Sequence, residues 1–331
     1  MEHNSVAAHR DGHGYGHGKL IILGEHSVVY GYPALAAALS CGVSMTASSA
    51  NEVTDEDDAD RERSGCHGST EIADWRLAIS AAEDHPVAVA RRNLCASLGV
   101  APWIERDLLV RGQASVPAGA GLGSSAAMAV AMARAIAAHC GLDASAEQIC
   151  AAANASERTF HDTPSGVDVA LAYHGGVGEF RRGAGLAPLQ LPLLRIAVGV
   201  TGDQRNTKAM VQTVAAATAS RADDPRLVEL GQLASDGRSA WAERQWRSLG
   251  RCCDRAQALL AELGVATDRI ELLCRTARAA GATGAKLTGA GGGGSVIAIA
   301  DDADAVVAAW RAIGVYGFVA TVGGNLPPEQ L

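Results

Sequence analysis

Pro117-Ala-Gly-Ala-Gly-Leu-Gly-Ser-Ser125 leads directly into the strong helix former Ala126-Ala-Met-Ala-Val-Ala-Met-Ala133. Alanine and methionine favour a helix, which we expect over about 125–139. The small residues before it let a polyphosphate approach the backbone, and the free N–H groups of the first helical turn favour its negative charge. The hydroxyls of Ser124 and Ser125 add hydrogen-bond donors, and one of them can reach a Mg²⁺ ion. The pattern predicts a phosphate-binding loop, although a glycine-rich turn capped by serine fits the same residues.

Two carboxylates follow at a spacing that allows them to meet. Glu157 lies near the end of a helix that we expect over about 146–160, and Asp168 follows the turn Pro164-Ser-Gly166. The chain can therefore fold back and bring both side chains to one site. One carboxylate could hold a metal ion while the other takes a proton from a hydroxyl group. The alternative is that both are solvated acids.

Two other glycine-rich segments do not match the common nucleotide-binding motifs. The Walker phosphate loop needs a glycine five residues before its Gly-Lys pair and Ser or Thr after it, whereas Gly18-Lys19 has His13 and Leu20 there. The glycines of segment 289–294 have the spacing of a dinucleotide-binding loop. A strand pattern follows them, however, where that loop needs a helix. Both motifs are therefore disfavoured.

The composition indicates a compact globular protein. At roughly 100–200 residues per domain, the 331 residues suit two modest domains. Hydrophobic residues make up 48% and charged residues 19%, which excludes wholesale disorder. The formal net charge of −8 repels polyanions, so nucleic-acid binding is disfavoured. Because there are 38 glycines and only 4% aromatic residues, we expect backbone groups rather than aromatic stacking to carry ligand recognition.

The sequence favours a cytoplasmic protein. The longest apolar stretch, 126–138, carries Arg134 and is shorter than the roughly 18 residues of a membrane-spanning helix. Residues 1–18 lack the apolar core of a secretion signal. They contain His3, His9, His13 and His17, and we expect a disordered polar tail rather than a metal site. The eight cysteines show no CxxC spacing, which favours free thiols in a reducing compartment.

Strand and helix patterns intermix along the whole chain, which predicts an α+β or α/β protein. Glycine and proline cluster over 181–188, so we expect two domains, residues 1–185 and 186–331. The charged segment 51–63 is expected to be a solvated loop. The predicted strands are about 19–23, 108–110, 114–116, 194–200, 295–299 and 317–322, with a strand region over 169–178, and the remaining predicted helices are about 33–39, 81–98, 208–219, 226–263 with an interruption, 268–280 and 303–311.

Three segments, taken in order, resemble the motifs of the GHMP small-molecule kinases. They are 19–35 (Lys-Leu-Ile-Ile-Leu-Gly-Glu-His-Ser-Val-Val-Tyr-Gly-Tyr-Pro-Ala-Leu), 117–127 and 286–294 (Lys-Leu-Thr-Gly-Ala-Gly-Gly-Gly-Gly). Within this superfamily they are most similar to the mevalonate kinases, as are segments 161–168 and 205–208. Galactokinases usually have Thr-Asp after Gly-Glu-His, where this chain has Ser-Val. The resemblance implies an α+β fold of two domains, an N-terminal ribosomal-S5-like domain and a C-terminal ferredoxin-like domain.

The resemblance also implies roles for individual residues. ATP and Mg²⁺ would be required, mevalonate would be the second substrate, and neither nucleic acid nor a membrane would be a partner. A homodimer is common in the family. The implied catalytic residues are Asp168, as the base, and Lys19; the implied Mg²⁺ ligands are Ser125 and Glu157; the implied ATP-binding residues are Pro117, Ala118, Gly119, Ala120, Gly121, Leu122, Gly123, Ser124, Ser125, Gly291 and Gly292; and the implied substrate-binding residues are Lys19, Glu25, His26, Asp168, Arg205 and Thr207.

Alternatives remain open at two levels. Asp168 could mainly orient the substrate hydroxyl while Lys19 lowers the pKa of that hydroxyl. The protein could also be another GHMP kinase, of the phosphomevalonate kinase or mevalonate 3-kinase type, or a catalytically silent sensor on the same fold. The presence of Lys19, Ser125, Glu157 and Asp168 together speaks against the sensor.

Overall fold

A computed structural model describes residues 11–49, 69–80, 84–160, 166–203 and 206–324. Two sheets, one mixed and one antiparallel, each packed against helices, make up this part of the chain, which confirms the α+β class. Within the described ranges no helix is both long and apolar enough to cross a bilayer.

The first sheet has seven strands in the order β4-β3-β5-β2-β6-β7, with β1 paired to β2 beside this path. All its pairs are antiparallel except β3 with β5. Its strands are β1 (Gly12–Leu23), β2 (Ala34–Ser49), β3 (Ser69–Ile72), β4 (Leu77–Ser80), β5 (Leu108–Ala114), β6 (Val177–Arg181) and β7 (Gly185–Leu189), and the helices in the same part of the chain are α1 (Pro86–Leu98), α2 (Pro102–Asp107), α3 (Ser124–His139), α4 (Ala146–Glu157) and α5 (Val167–His174).

The second sheet is antiparallel and has the order β11-β8-β10-β9. The chain passes from one sheet to the other between β7 and β8, close to the expected boundary at 185/186, which stays a prediction. The strands are β8 (Leu194–Val200), β9 (Gly284–Thr288), β10 (Ser295–Ile299) and β11 (Gly317–Val322), and the helices are α6 (Thr207–Ala217), α7 (Pro225–Ala242), α8 (Trp246–Glu262), α9 (Asp268–Ala279) and α10 (Ala303–Ala312).

Helix α3 lies directly against the backbone of β1. A Cβ added to Gly16 would lie 2.2 Å from the carbonyl oxygen of Ala127, so only glycine allows this approach. The facing side of α3 is rich in alanine, and Ala127 and Ala131 are fully buried. Small residues on both elements therefore bring the N-terminus of α3 next to the middle of β1.

The predicted helix over 33–39 is wrong, because these residues begin β2. Ala34 to Leu39 are at most 2% exposed and hydrogen-bond to β1 on one side and β6 on the other. Alanine is the strongest helix former, but intrinsic propensity amounts to less than about 1 kcal/mol per residue, and burial between two strands overrides it. The strand region predicted over 169–178 is also partly wrong, because α5 occupies its first half. A short apolar run does not by itself distinguish a helix from a strand.

The predicted disordered tail is wrong from residue 12 onward, because 12–18 form the first half of β1. Tyr15 is 7% exposed and His17 is 3% exposed, and Nδ1 of His17 lies 2.9 Å from the carbonyl oxygen of Leu39. Residues 1–10, with His3 and His9, lie outside the described ranges, as does the predicted loop 51–63. The strand predicted over 108–110 extends to Ala114 as β5, and the separate strand predicted over 114–116 is wrong, because 115 and 116 lie beyond the end of β5. The other predicted helices and strands are confirmed, with ends that differ by a few residues.

Candidate active site

A cavity of about 840 Å³ opens where the two halves of the chain meet. Strand β1, the N-termini of α3, α5 and α6, and the loop after β9 all contribute to its wall. The lining includes Lys19, Asp168, Ser125, Glu157, Thr207 and Gly289. The carboxylates of Glu157 and Asp168 therefore lie in one site, as the sequence predicts.

Lys19 and Asp168 form an ion pair inside this cavity. The Nζ atom of Lys19 lies 3.1 Å from Oδ1 of Asp168, and the two side chains are 10% and 32% exposed. The backbone N–H of Lys19 donates to the carbonyl oxygen of Leu122 at 2.8 Å, which fixes the position from which the side chain extends. Asp168 lies in the first turn of α5, which begins after Gly166 in the left-handed conformation. The site thus presents a fixed cation beside a partly exposed carboxylate.

Ser125 and Glu157 form a second pair beside the first. The Oγ atom of Ser125 donates to Oε2 of Glu157 at 3.3 Å. Burial raises the pKa of Glu157 to about 7, and the charge of Asp168 adds to the rise, whereas the Ser125 hydrogen bond and Lys19 oppose it. A hydroxyl and a carboxylate oxygen are ligands that Mg²⁺ prefers, and a bound cation would favour the charged carboxylate.

The predicted phosphate loop contributes part of its length to the cavity. Gly121, Gly123, Ser124 and Ser125 line it, and α3 begins at Ser124, so its free N–H groups lie at the wall. The other predicted loop residues, Pro117, Ala118, Gly119, Ala120 and Leu122, are not in the lining; Ala120 and Leu122 are buried, and the carbonyl oxygen of Ala120 accepts a hydrogen bond from Ser295 at 2.8 Å.

Glu25 and His26 lie in the turn after β1 and line the same cavity. The carboxylate of Glu25 is buried and pairs with Lys286. Burial raises the pKa of Glu25, and the charge of Lys286 opposes that rise. Nε2 of His26 lies 2.9 Å from the carbonyl oxygen of Ala290. Burial lowers the pKa of His26, so its ring is neutral at pH 7.

The remaining predicted site residues differ in where they lie. Thr207 begins α6 and lines the cavity, whereas Arg205 is outside the described ranges. Gly291 and Gly292 are not in the lining. A Cβ on Gly291 would lie 2.4 Å from the carbonyl oxygen of Val265, so this part of the loop packs against the protein.

Sequence reasoning missed Arg182, which follows β6 and lines the cavity. Its Nη1 donates to the carbonyl oxygen of Val29 at 3.1 Å. Lys19 is the lysine and Arg182 the arginine in the described lining, and Val28, Val29 and Phe180 provide an apolar part of the wall. Arg182 belongs to the segment interpreted as a domain boundary, and no local pattern distinguishes it from its neighbour Arg181, since both are exposed. The site can hold an anion and an apolar group next to the Lys19 and Asp168 pair.

Comparison with known proteins gives consistent matches. The family "GHMP kinases N terminal domain" matches residues 85–176, and "GHMP kinases C terminal" matches residues 238–315. The mevalonate kinase of Thermococcus onnurineus is 32% identical over 311 residues, 88% of this chain and 89% of that protein. The mevalonate kinase of Aeropyrum pernix is 34% identical over 288 residues, 85% of this chain and 86% of that protein.

Solved structures match over nearly the whole chain. The structure of L. major mevalonate kinase in complex with R-mevalonate has a TM-score of 0.81 at 24% identity, covering 97% of this chain and 99% of that one. Mevalonate kinase from methicillin-resistant Staphylococcus aureus has a TM-score of 0.68 at 26% identity, covering 96% of this chain and 99% of that one. The two-sheet fold described above is thus shared with these proteins.

Proposed function

The chain belongs to the mevalonate kinase family of the GHMP kinases, and we propose that it transfers the γ-phosphoryl group of ATP to the 5-hydroxyl of mevalonate. The products are 5-phosphomevalonate and ADP. The observation that carries this proposal is the convergence of the Lys19–Asp168 pair and the Ser125–Glu157 pair on one cavity at the N-terminus of α3.

The phosphates of ATP bind at the loop before α3. Backbone N–H groups at the helix N-terminus are free to donate, and the helix dipole favours negative charge there. Residues 117–125 form this loop, and Gly291 and Gly292 belong to the loop that approaches it from the second sheet. The hydrogen bond from Oγ of Ser295, the first residue of β10 directly after that second loop, to the carbonyl oxygen of Ala120 connects β10 to the first loop.

Ser125 and Glu157 would hold Mg²⁺ beside the phosphates. Within the described residues no group of three or more His, Cys, Asp or Glu side chains could hold a metal ion. Two protein oxygens nevertheless suit Mg²⁺, because this ion usually takes its other ligands from water and from substrate phosphates. When bound, Mg²⁺ neutralises charge on the phosphate oxygens.

Asp168 and Lys19 act on the hydroxyl group. Asp168 accepts the hydroxyl proton as the oxygen forms its bond to the γ-phosphorus and the bond to ADP breaks. The Lys19 ammonium stabilises the negative charge that develops on the attacking oxygen and on the phosphoryl group. In the alternative, Lys19 promotes loss of the proton and Asp168 orients the hydroxyl group.

The far end of the cavity suits the rest of mevalonate. Its carboxylate needs a cation, and Arg182 is the lining cation that Asp168 does not occupy. The apolar wall formed by Val28, Val29 and Phe180 suits the methyl group and methylene carbons. Substrate contacts from His26, Thr207 and Arg205 complete the proposal, whereas the carboxylate of Glu25 is buried and paired with Lys286.

A coupled ADP-release assay of the purified protein tests this function. Mevalonate, 5-phosphomevalonate, galactose and homoserine are offered separately with ATP and Mg²⁺. Turnover on mevalonate well above the other three supports the proposal. Turnover on 5-phosphomevalonate alone would assign the protein to a different GHMP kinase. Phosphorylation at the 3-hydroxyl, identified by NMR of the product, would indicate a mevalonate 3-kinase, and binding without turnover would indicate a sensor.

We also propose that the protein is a cytoplasmic homodimer. The cysteines that the structure describes are free thiols, which suits a reducing compartment. The family resemblance supports the dimer, and light scattering after size-exclusion chromatography tests it.

A further inference from the structure

A buried lysine in the second sheet has no part in the chemistry proposed above. Lys286, in β9, is 0% exposed, and lysine is almost never fully buried unless its charge is paired. Its Nζ donates to Oε1 of Glu25 and, at 2.6 Å, to the carbonyl oxygen of Leu287. The ion pair therefore joins the second sheet to the turn that follows β1.

Thr288 makes a second connection from the same face of β9. Side chains two residues apart in a strand point to the same side of the sheet, so Lys286 and Thr288 both face the first domain. The Oγ1 atom of Thr288 donates to the carbonyl oxygen of Ile21 at 2.9 Å and accepts from the N–H of Ile21 at 3.0 Å. One face of β9 is thus bonded both to β1 and to the turn after it.

The turn itself has a strained backbone. His26 has a φ of 61°, in the left-handed region that a residue with a side chain rarely adopts. Such a conformation persists only where neighbouring contacts hold it. Two of these contacts come from the second domain: Lys286 pairs with Glu25, and the carbonyl oxygen of Ala290 lies 2.9 Å from Nε2 of His26. The turn also has hydrogen bonds of its own, in which Oγ of Ser27 and the N–H of Val28 donate to the carbonyl oxygen of Gly24. Directly after His26, the short helix Ser27–Tyr30 carries Val28 and Val29 into the cavity wall.

We propose that the Lys286–Glu25 ion pair is a positioning pair for the substrate. It holds the turn 24–30 against the second domain, so that His26, Val28 and Val29 face the substrate end of the cavity. Glu25 is 1% exposed and its carboxylate is occupied by Lys286, so it acts through the turn. This inference rests on the proposed function, because it concerns the binding of the same substrate.

The test compares the kinetics of Lys286→Met with those of a matched control. Arg91→Met breaks another buried ion pair, in which Nε of Arg91 lies 2.9 Å from Oε1 of Glu105, in a region that does not line the cavity. Each variant is measured for KM and kcat with mevalonate and with ATP separately. Thermal unfolding of each variant is followed by circular dichroism, and kinetics are taken where the protein is folded.

We expect Lys286→Met to raise KM for mevalonate roughly 10- to 100-fold, because a small displacement of a positioning group costs about that much. The KM for ATP should change by less than about threefold. The loop 117–125 is held by other contacts, in which Ser295 donates to Ala120 and the N–H of Lys19 donates to Leu122. Arg91→Met should lower the unfolding temperature and leave KM for mevalonate near the wild-type value. A rise in KM for mevalonate without a similar rise in KM for ATP is not expected from an ion pair that only stabilises the fold.

A folded Lys286→Met protein with wild-type KM for mevalonate would overturn the inference, as would equal rises in both KM values. Where this variant does not fold, Lys286→Met with Glu25→Gln removes both buried charges and is judged by the same criteria. If the double variant does not fold either, these side chains are needed for the whole fold, and the proposed role in positioning the turn 24–30 is overturned. Absence of mevalonate turnover by the wild-type protein in the same assay is instead a failure of the proposed function.

Discussion

Replacement of Gly123 by alanine should displace Lys19 and slow phosphoryl transfer. Gly123 has a φ of +71°, and a Cβ added there would lie 2.6 Å from Cγ of Lys19 and 3.3 Å from its backbone nitrogen. The nearer contact involves an atom close to the Lys19 backbone, so rotation of the end of the side chain does not relieve it. Lys19 has to move by roughly 0.8 Å to reach ordinary contact at 3.4 Å. That movement is comparable to the misplacement that costs an enzyme about 100-fold in rate.

Gly119→Ala is the matched control for this prediction. Gly119 has the same φ of +71° in the same loop, but nothing lies within 4 Å of an added Cβ. Both variants therefore carry the left-handed strain, about 1–2 kcal/mol of unfolding free energy. Only Gly123→Ala adds the contact with Lys19, which costs a further 1–3 kcal/mol or so as overpacking.

The assay is ADP release at saturating ATP and mevalonate, together with urea unfolding. We expect kcat of Gly123→Ala to fall roughly 10- to 100-fold, and kcat of Gly119→Ala to fall clearly less. Equal losses of kcat in the two variants would refute the reasoning, because backbone strain in the loop would then account for the whole effect. A normal kcat in Gly123→Ala would refute the placement of Lys19.

Three further outcomes follow from the site. Asp168→Asn should lower kcat roughly 10²- to 10⁴-fold while ATP affinity, measured by calorimetry, is retained; a near-normal kcat would remove Asp168 from proton transfer. Burial raises the pKa of Glu157 to about 7, and this carboxyl group has to lose its proton before it can bind Mg²⁺. The Mg²⁺ concentration that gives the half-maximal rate should therefore fall as pH rises from about 6 to about 8. Glu157→Gln should raise that concentration roughly tenfold or more and abolish its pH dependence, and an unchanged Mg²⁺ titration contradicts the assignment. Arg182→Met should raise KM for mevalonate about tenfold or more without changing KM for ATP. Arg181→Met, which alters an exposed side chain paired with Glu179, should change neither KM. Equal effects of the two variants on KM for mevalonate argue against a contact between Arg182 and the substrate carboxylate.

The loss of a proton from Glu157 also affects stability without metal. The folded protein keeps this proton between about pH 4.5 and pH 7, where the unfolded chain has lost it. The unfolded state therefore binds fewer protons, and the free energy of unfolding contributed by this group falls as pH rises through that window. Bound Mg²⁺ should reverse the trend, because it favours the charged carboxylate in the folded state.

Features that depend on neighbouring residues were predicted from the sequence. The helix after the glycine-rich loop is one example, since alanine, methionine and the serine positions at its start all favour it locally. The meeting of Glu157 and Asp168 at one cavity is another, because the chain between them is short. Ala34 to Leu39 shows the limit of this reasoning, since two hydrogen-bonded neighbours turned a helix-favouring run into a buried strand.

The sequence alone was enough to predict the α+β class and the helix after the glycine-rich loop, and it indicated several of the side chains that line the cavity. Only the tertiary structure decided which distant groups meet. Lys286 lies 261 residues from Glu25, and Arg182 lies 153 residues from the carbonyl of Val29 to which it donates. Local propensity acts over a few neighbouring residues, whereas an ion pair between a strand of the second sheet and the turn after β1 depends on the packing of the whole chain. A sequence motif can include Lys286, but only the fold shows that its charge is buried against the turn that lines the cavity.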